Sequence, residues 1–328
     1  MTKKRILSGM RPTGPLHLGH LLGALNNWTK LQKEHECLFM VADWHALMSE
    51  YGDPKSIQDN IVNCVADWIS CGIDPKRSAI FVQSQVTEHL ELAMVLSDIT
   101  PLSWLERCPT YKEQLREVKG RDLATYGFLG YPVLQAADII LYKANAVPVG
   151  EDQLPHLELT REIVRRFHHL YKKKIFPEPE PILTKTARLL GVDNRKMSKS
   201  FDNYIALSDT PEVIRKKVAR MITDPARQKK TDPGHPDICN VFSYYNVFKS
   251  DLTSKIRKDC TSASIGCTED KGRLADILIE HLKDIQKRRK KLLEDKAELN
   301  KILVDGTERA RSIASKTLAE VKKLVGLA

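Results

Sequence analysis

The chain has 328 residues, 42% of them hydrophobic and 29% charged, which excludes a collagen-like repeat or a disordered chain. This length exceeds what one hydrophobic core usually serves, so two domains are expected. The net charge of +10 is uneven, with 26 basic against 24 acidic side chains in residues 1–208 and 26 against 18 in residues 209–328. That imbalance points to a polyanionic partner for the C-terminal part.

Residues 5–8 form a short apolar strand ended by Gly9, followed by a Pro/Gly loop over residues 10–15. A helical pattern covers residues 16–34, and the apolar run 37–42 reads as a buried strand. A helix over 54–71 has Pro54 in its first turn, where its missing N–H costs nothing. A third strand over 78–82 and a helix over 88–99 follow. Residues 131–142 are helical, 146–149 a strand, and 152–170 a helix again. Short strands alternating with helices predict a parallel, doubly wound sheet. Residues 175–181 hold three prolines and read as a connector, and 184–204 are polar and loop-like. From Thr210 onward the pattern is helical, clearest over 276–293 and 308–324. The expected fold is an α/β, doubly wound catalytic domain followed by an all-α C-terminal domain.

No apolar run approaches the roughly 18 residues of a membrane span, so no membrane association is expected. Seven cysteines are too few for a disulfide scaffold, which fits a reducing cytoplasm. Cys37, Cys64, Cys71 and Cys108 fall on apolar strand or helix positions and read as core.

Two elements carry chemistry. His17-Leu18-Gly19-His20 opens the first helix after the first strand, and a helix N-terminus there suits a phosphate. The two histidines can donate to phosphoryl oxygens, and Gly19 allows a nucleotide ring to approach the backbone. Far downstream, Lys196-Met197-Ser198-Lys199-Ser200 lies in a polar loop. Two lysines and two serine hydroxyls make a cationic clamp that can neutralise triphosphate charge developing in a transition state. On a third segment Tyr131, Gln135 and Asp138 are spaced to share one helix face. Asp138, among apolar neighbours, must be hydrogen-bonded if buried.

The first two elements, in this order, resemble the two signature motifs of class I aminoacyl-tRNA synthetases. The segments 8–14, 42–46, 131–139, 149–153 and 156–163 resemble those of the bacterial tryptophanyl-tRNA synthetases. The resemblance implies a Rossmann-like catalytic domain over residues 1–183 with a dimer-interface insertion near 90–130. It further implies a signature-loop segment over 184–208 and a helical anticodon-binding domain over 209–328, whose end can return to the catalytic domain. The implied reaction joins L-tryptophan and ATP into tryptophanyl-adenylate with release of pyrophosphate, then transfers tryptophan to tRNA(Trp).

By the same resemblance, Arg11, Pro12, Thr13, Gly19, His20, Lys112, Gly150, Glu151, Asp152, Leu189 and residues Lys196 to Ser200 (Met197, Ser198 and Lys199 included) surround ATP. His17, His20, Lys196 and Lys199 serve catalysis. Asp138, Tyr131, Gln135, Gln153 and His45 bind tryptophan, with the carboxylate of Asp138 accepting from the indole N–H, a group that only donates. Mg²⁺ accompanies ATP. The partners implied are tryptophan, ATP, tRNA(Trp) and a second copy of the chain in a cytoplasmic homodimer.

Arg11 and Gln135 depart from other branches of the family and point to a variant branch that can carry a four-cysteine iron–sulfur site. Cys239, Cys260 and Cys267 match three of its positions, and Asp270 stands at the fourth, so a cluster is not expected. Spacing alone leaves a tyrosine-specific enzyme of the same class open, because an aspartate can equally take a phenol. A catalytically silent RNA-binding paralogue is the reading outside enzymology.

Overall fold

The computed structural model describes residues 3–109, 111–112, 123–183, 189–197 and 201–327. Five strands, β1 (Arg5–Met10), β2 (Glu36–Val41), β3 (Ala79–Val82), β4 (Ala146–Val149) and β5 (Glu180–Leu183), form one sheet in the order β3-β2-β1-β4-β5. Every neighbouring pair is parallel. β2 and β3 are almost wholly buried, as a parallel sheet covered on both faces requires. The alternating strands and helices in the sequence thus give the doubly wound, Rossmann-like sheet expected.

The proline-rich connector differs from expectation, because it ends in β5. Pro181 pairs with Val147 at the outer edge of the sheet. An edge strand has one row of N–H groups that makes no ladder bond, so proline is tolerated there.

In chain order the helices are α1 (Leu18–His20), α2 (Asn26–Glu34), α3 (Asp43–Glu50), α4 (Ile57–Ser70), α5 (Glu88–Ile99) and α6 (Leu102–Glu106). They continue with α7 (Tyr126–Leu141), α8 (Leu154–Tyr171), α9 (Pro211–Ala219), α10 (Asn240–Phe248), α11 (Thr253–Thr261), α12 (Cys267–Glu294) and α13 (Lys296–Val325). The single helix expected over 16–34 is broken by a π-helical turn, Leu21–Leu25, between α1 and α2. α7 starts before Tyr131, where the Thr125 hydroxyl accepts from the Phe128 N–H at 3.2 Å and caps the helix.

The chain divides into two compact units. Met1–Gly14, Asn27–Thr184 and Asp295–Ala328 make the first, and Pro15–Asn26 and Lys185–Glu294 the second. The division is discontinuous in sequence, unlike the linear cuts at 183 and 208. In the first unit the core joins Leu7, Leu38 and Phe81 of the sheet to Leu92, Ile140 and Phe167 of α5, α7 and α8. Ala310, Ala314 and Leu318 of α13 complete it. α13 lies so close to β3 that a β-carbon on Gly306 would overlap the carbonyl of Ile80. On α2, Trp28 stacks on Phe39 at 4.4 Å and meets Trp68 edge-on at 5.0 Å.

The regular structure of the second unit is helical, with two antiparallel bridges among the described residues, His17 with Ala206 and Leu190 with Lys196. The Leu18 N–H donates to Ile205 O at 3.1 Å, and the Leu207 N–H to Leu16 O at 2.9 Å. These bonds lay the histidine motif alongside the chain that leaves the lysine loop.

Candidate active site

In the first unit β1 has β2 on one side and β4 on the other, so the strand order reverses there. Ligands of such sheets bind beyond the strand C-termini at this point. Two of the expected segments meet these strand ends, Arg11, Pro12 and Thr13 after β1 and Gly150, Glu151, Asp152 and Gln153 after β4. Thr13 N–H donates to Arg11 O at 2.9 Å, and Gly14 adopts φ 120°, where side chains other than glycine's are strained. At Gly150 a β-carbon would stand 2.6 Å from Asp152 Oδ1, so glycine lets that carboxylate fold back. Gln153 Nε2 donates to Asp152 Oδ2 at 3.1 Å.

On α7 the expected amino-acid residues lie as spaced, with Tyr131 and Gln135 half-buried and Asp138 buried. The Asp138 carboxylate accepts from His89 Nδ1 at 2.6 Å and His45 Nε2 at 2.8 Å. Gln83 Nε2 reaches both of its oxygens, at 2.8 and 3.0 Å. Burial raises the pKa of Asp138, but the charge of His89 and the hydrogen bonds from His45 and His89 outweigh it, and the carboxyl ends below its ordinary range. Sequence reasoning had the helix and the carboxylate but not its donors.

Tyr131 OH and His156 Nε2 are 2.6 Å apart. Burial pulls His156 down to about 4 against an opposing pull from Asp152, so its ring is neutral at pH 7. Burial, with Cys108 nearby, raises the Tyr131 hydroxyl above its usual value despite Arg11. Two neutral groups share one proton in this bond, and His156 Nδ1 is left buried without a partner.

In the second unit, His17 caps α1. Its Nδ1 accepts from the Gly19 N–H at 3.1 Å, while its own N–H donates to His20 Nδ1 at 3.2 Å. An Nδ1 that accepts carries no proton, so each neutral ring bears its proton on Nε2. Both histidines therefore present an Nε2–H donor, the form that suits a phosphoryl oxygen. Gly19 has a role the sequence did not reveal, since a β-carbon there would lie 2.9 Å from the His17 ring.

Leu189 and Met197 are buried and Lys196 is exposed. Their loop is anchored by Asn203 Nδ2, which donates to Asp193 Oδ1 at 2.7 Å and Lys196 O at 3.0 Å. Asn240 Nδ2 and Tyr244 OH of α10 donate to Gly191 O and Leu190 O, each at 2.7 Å. Ser198, Lys199 and Ser200 lie outside the described residues. Lys112 is exposed, with its N–H donating to Cys108 O at 3.3 Å.

Cys239, Cys260 and Cys267 are half-buried in the second unit. Arg227 Nη1 lies 3.9 Å from the sulfurs of Cys260 and Cys267. At the fourth position Asp270 accepts from Tyr245 OH at 2.9 Å, and burial holds its carboxyl above the ordinary range. Burial likewise raises the thiols of Cys239 and Cys260. A centre built on four thiolates does not fit three thiols, a hydrogen-bonded carboxyl and a guanidinium beside two of the sulfurs.

Residues 2–283 match the family model described as class I tRNA synthetases (W and Y). The tryptophan–tRNA ligase of Thermotoga maritima is 50% identical over 326 residues, covering 98% of this chain and 99% of that protein. That of Aquifex aeolicus is 43% identical over 98% of this chain and all of its own length. Among solved structures, tryptophanyl-tRNA synthetase from Campylobacter jejuni complexed with ADP and tryptophan superposes with a TM-score of 0.91. It is 31% identical, over 98% of this chain and 100% of its own. A tyrosyl-tRNA synthetase from Archaeoglobus fulgidus, 21% identical with a TM-score of 0.67, shares the fold alone. By its sheet, its two signature motifs and these relatives, the chain belongs to the class I aminoacyl-tRNA synthetases, among the tryptophan–tRNA ligases.

Proposed function

We propose that this chain activates L-tryptophan with ATP, giving tryptophanyl-adenylate and pyrophosphate, and then passes the tryptophanyl group to tRNA(Trp). The observation that carries the contact to the amino-acid side chain is Asp138, a buried carboxylate kept ionised on the helix face that also bears Tyr131 and Gln135, and the tryptophan–tRNA ligases among the relatives favour an indole over a phenol there. A carboxylate only accepts and the indole N–H only donates, so the two groups are complementary. Tyr131, Gln153 and His45 complete the tryptophan contacts, with Gln135 on the same face.

In the activation step the carboxylate oxygen of tryptophan attacks the α-phosphorus as the bond to pyrophosphate breaks, so the protein's work is positioning and charge stabilisation. The strand-end segments Arg11 to Thr13 and Gly150 to Asp152 hold the nucleotide, with Leu189 and Met197 against adenine and Lys112 toward the phosphates. The Nε2–H groups of His17 and His20 donate to phosphoryl oxygens. Lys196 and Lys199, with Ser198 and Ser200, neutralise the charge that grows on the leaving pyrophosphate. Mg²⁺ comes with ATP and is held through phosphates and waters.

The C-terminal excess of basic side chains supports the tRNA contact. Lys287, Arg288, Lys290 and Lys291 form an exposed run on α12 suited to a phosphate backbone. The homodimer is supported by large apolar side chains left exposed on α5, α6 and the start of α7, among them Met94, Leu102 and Tyr126. No described helix is long and apolar enough to cross a membrane, and a sequence with seven cysteines in 328 residues, too sparse for a disulfide scaffold, supports a place in the reducing cytoplasm.

The test is amino-acid-dependent ATP–pyrophosphate exchange with each of the twenty amino acids, followed by charging of bulk tRNA. Exchange with tryptophan alone is the expected result. Exchange driven by tyrosine, or by no amino acid, overturns the assignment.

A further inference from the structure

Asp138 is 2% exposed, and a carboxylate offers about four acceptor directions. Three side chains fill them with four contacts, from His89, His45 and both approaches of Gln83. The chain of bonds continues, because Tyr142 OH lies 2.7 Å from His89 Nε2. Asp138 only accepts, so His89 Nδ1 carries a proton, and Tyr142, held well above its usual pKa by burial, remains a neutral hydroxyl hydrogen-bonded to Nε2. Asp138 on α7 and Tyr142, the residue that caps the C-terminal end of that helix, stand four residues apart, so one ring from α5 clamps the helix and its end.

The arrangement has a cost that stability alone does not explain. Gln83 commits its amide N–H groups to Asp138, and its Oε1 is left buried with no hydrogen-bond partner. His89, Gln83 and Tyr142 are all 0% exposed. His45 differs, since its side chain is 12% exposed.

We infer that Gln83, His89 and Tyr142 are a positioning set that keeps the Asp138 carboxylate ionised and aimed, and that His45 occupies the acceptor direction which the indole N–H takes over when tryptophan binds. This rests on the reading of Asp138 as the partner of the tryptophan indole. The four acceptor directions are full without a ligand, so an arriving donor must displace one already present. The donor nearest the surface leaves with the least disruption. The buried donors stay and hold the remaining negative charge in place.

The titratable groups that bear on Asp138 are His45 from α3, His89 from α5 and, through His89, Tyr142 at the C-cap of α7. Glu88, next to His89, is turned to the Ser315 hydroxyl of α13 at 2.7 Å. If His89 is removed, burial is left less opposed and raises the carboxyl, so Asp138 takes a proton as the pH falls and ceases to be a full acceptor. Tryptophan affinity in such a variant must therefore fall toward acid, while the wild type stays flat over the same range.

The experiment measures tryptophan affinity by calorimetric titration of the full chain from about pH 5 to 8, with ATP affinity in parallel. His89→Leu is expected to weaken tryptophan about tenfold or more and to introduce the acid-side loss. His89→Asn keeps a donor at the Nδ1 position and is expected to recover most of the affinity and the flat profile. Tyr142→Phe should weaken tryptophan by a few-fold without moving ATP, and His45→Ala should cost less than His89→Leu. Wild-type affinity and a flat pH profile in folded His89→Leu overturn the proposal. If His89→Leu does not fold, Tyr142→Phe and His89→Asn decide, and no change of tryptophan affinity in either overturns it. Asp138→Asn separates the two levels. Unchanged tryptophan binding there removes the pocket reading itself, whereas a large loss with an inert His89 removes only the positioning set.

Discussion

The backbone N–H of His17 donates to Nδ1 of His20 at 3.2 Å, so the second histidine of the motif is oriented by the backbone of the first. His20 thereby keeps its proton on Nε2. Asparagine at this position can reproduce the Nδ1 acceptor but not the Nε2 donor, and glutamine can reproduce the donor. We expect His20→Gln to keep about tenfold more activation rate than His20→Asn. Single-turnover adenylate formation measures this, and equal rates in the two variants would assign the histidine to capping alone.

Lys199→Ala is expected to lower the activation rate by about 10²- to 10³-fold with tryptophan affinity retained, because the contact forms as charge moves onto pyrophosphate. Pre-steady-state kinetics paired with equilibrium tryptophan binding distinguishes this from a ground-state role. A proportionate loss of tryptophan affinity contradicts it.

His156 contributes a pH dependence of known sign. Its folded value near 4 lies below the ordinary 6.5, so between those values the unfolded chain binds more protons and stability rises with pH. The destabilisation is greatest below pH 4 and is gone above about 6.5, with a magnitude of roughly 3 kcal/mol. His156→Gln should flatten melting temperature over this window. An undiminished slope in the variant assigns the dependence to other groups.

Gly306→Val forces side-chain atoms into the backbone of Ile80 and is expected to destabilise the first unit by about 3 kcal/mol or more. Urea denaturation measures the loss. A stability within about 0.5 kcal/mol of wild type would show that α13 can lift from β3 with little penalty.

How much of this could be read in advance depends on how local the cause is. The strands announce themselves by apolar runs between turn residues, and the parallel order follows from the helices between them. The tryptophan helix is legible because Tyr131, Gln135 and Asp138 repeat at helical spacing on one segment. The donors to Asp138 are not, because His45, Gln83 and His89 come from three other segments and meet only in the folded core. Gln83 follows β3 directly, at the strand end where such sheets bind ligands, and that position was the available signal. Its turn is fixed by a similarly non-local bond, from the Ser84 N–H to the buried Asp43 carboxylate at 2.9 Å. Pro181 misled in the opposite way, since proline argues against a strand until the edge position is known.

The closure of β3 by α13 also sets an order of events in biosynthesis. Thr307 bonds to Gln85 and Arg309 to the carbonyl of Ser78, partners 222 and 231 residues apart in the chain. A ribosome adding about 5–20 residues per second needs roughly 11 to 46 seconds to cover that span. During that interval the face of β3 that α13 will cover has been made and its cover has not. The newborn chain is therefore most vulnerable to association with other chains late in translation, and slowing the ribosome over the last hundred codons should lower the soluble yield more than slowing it over the first hundred.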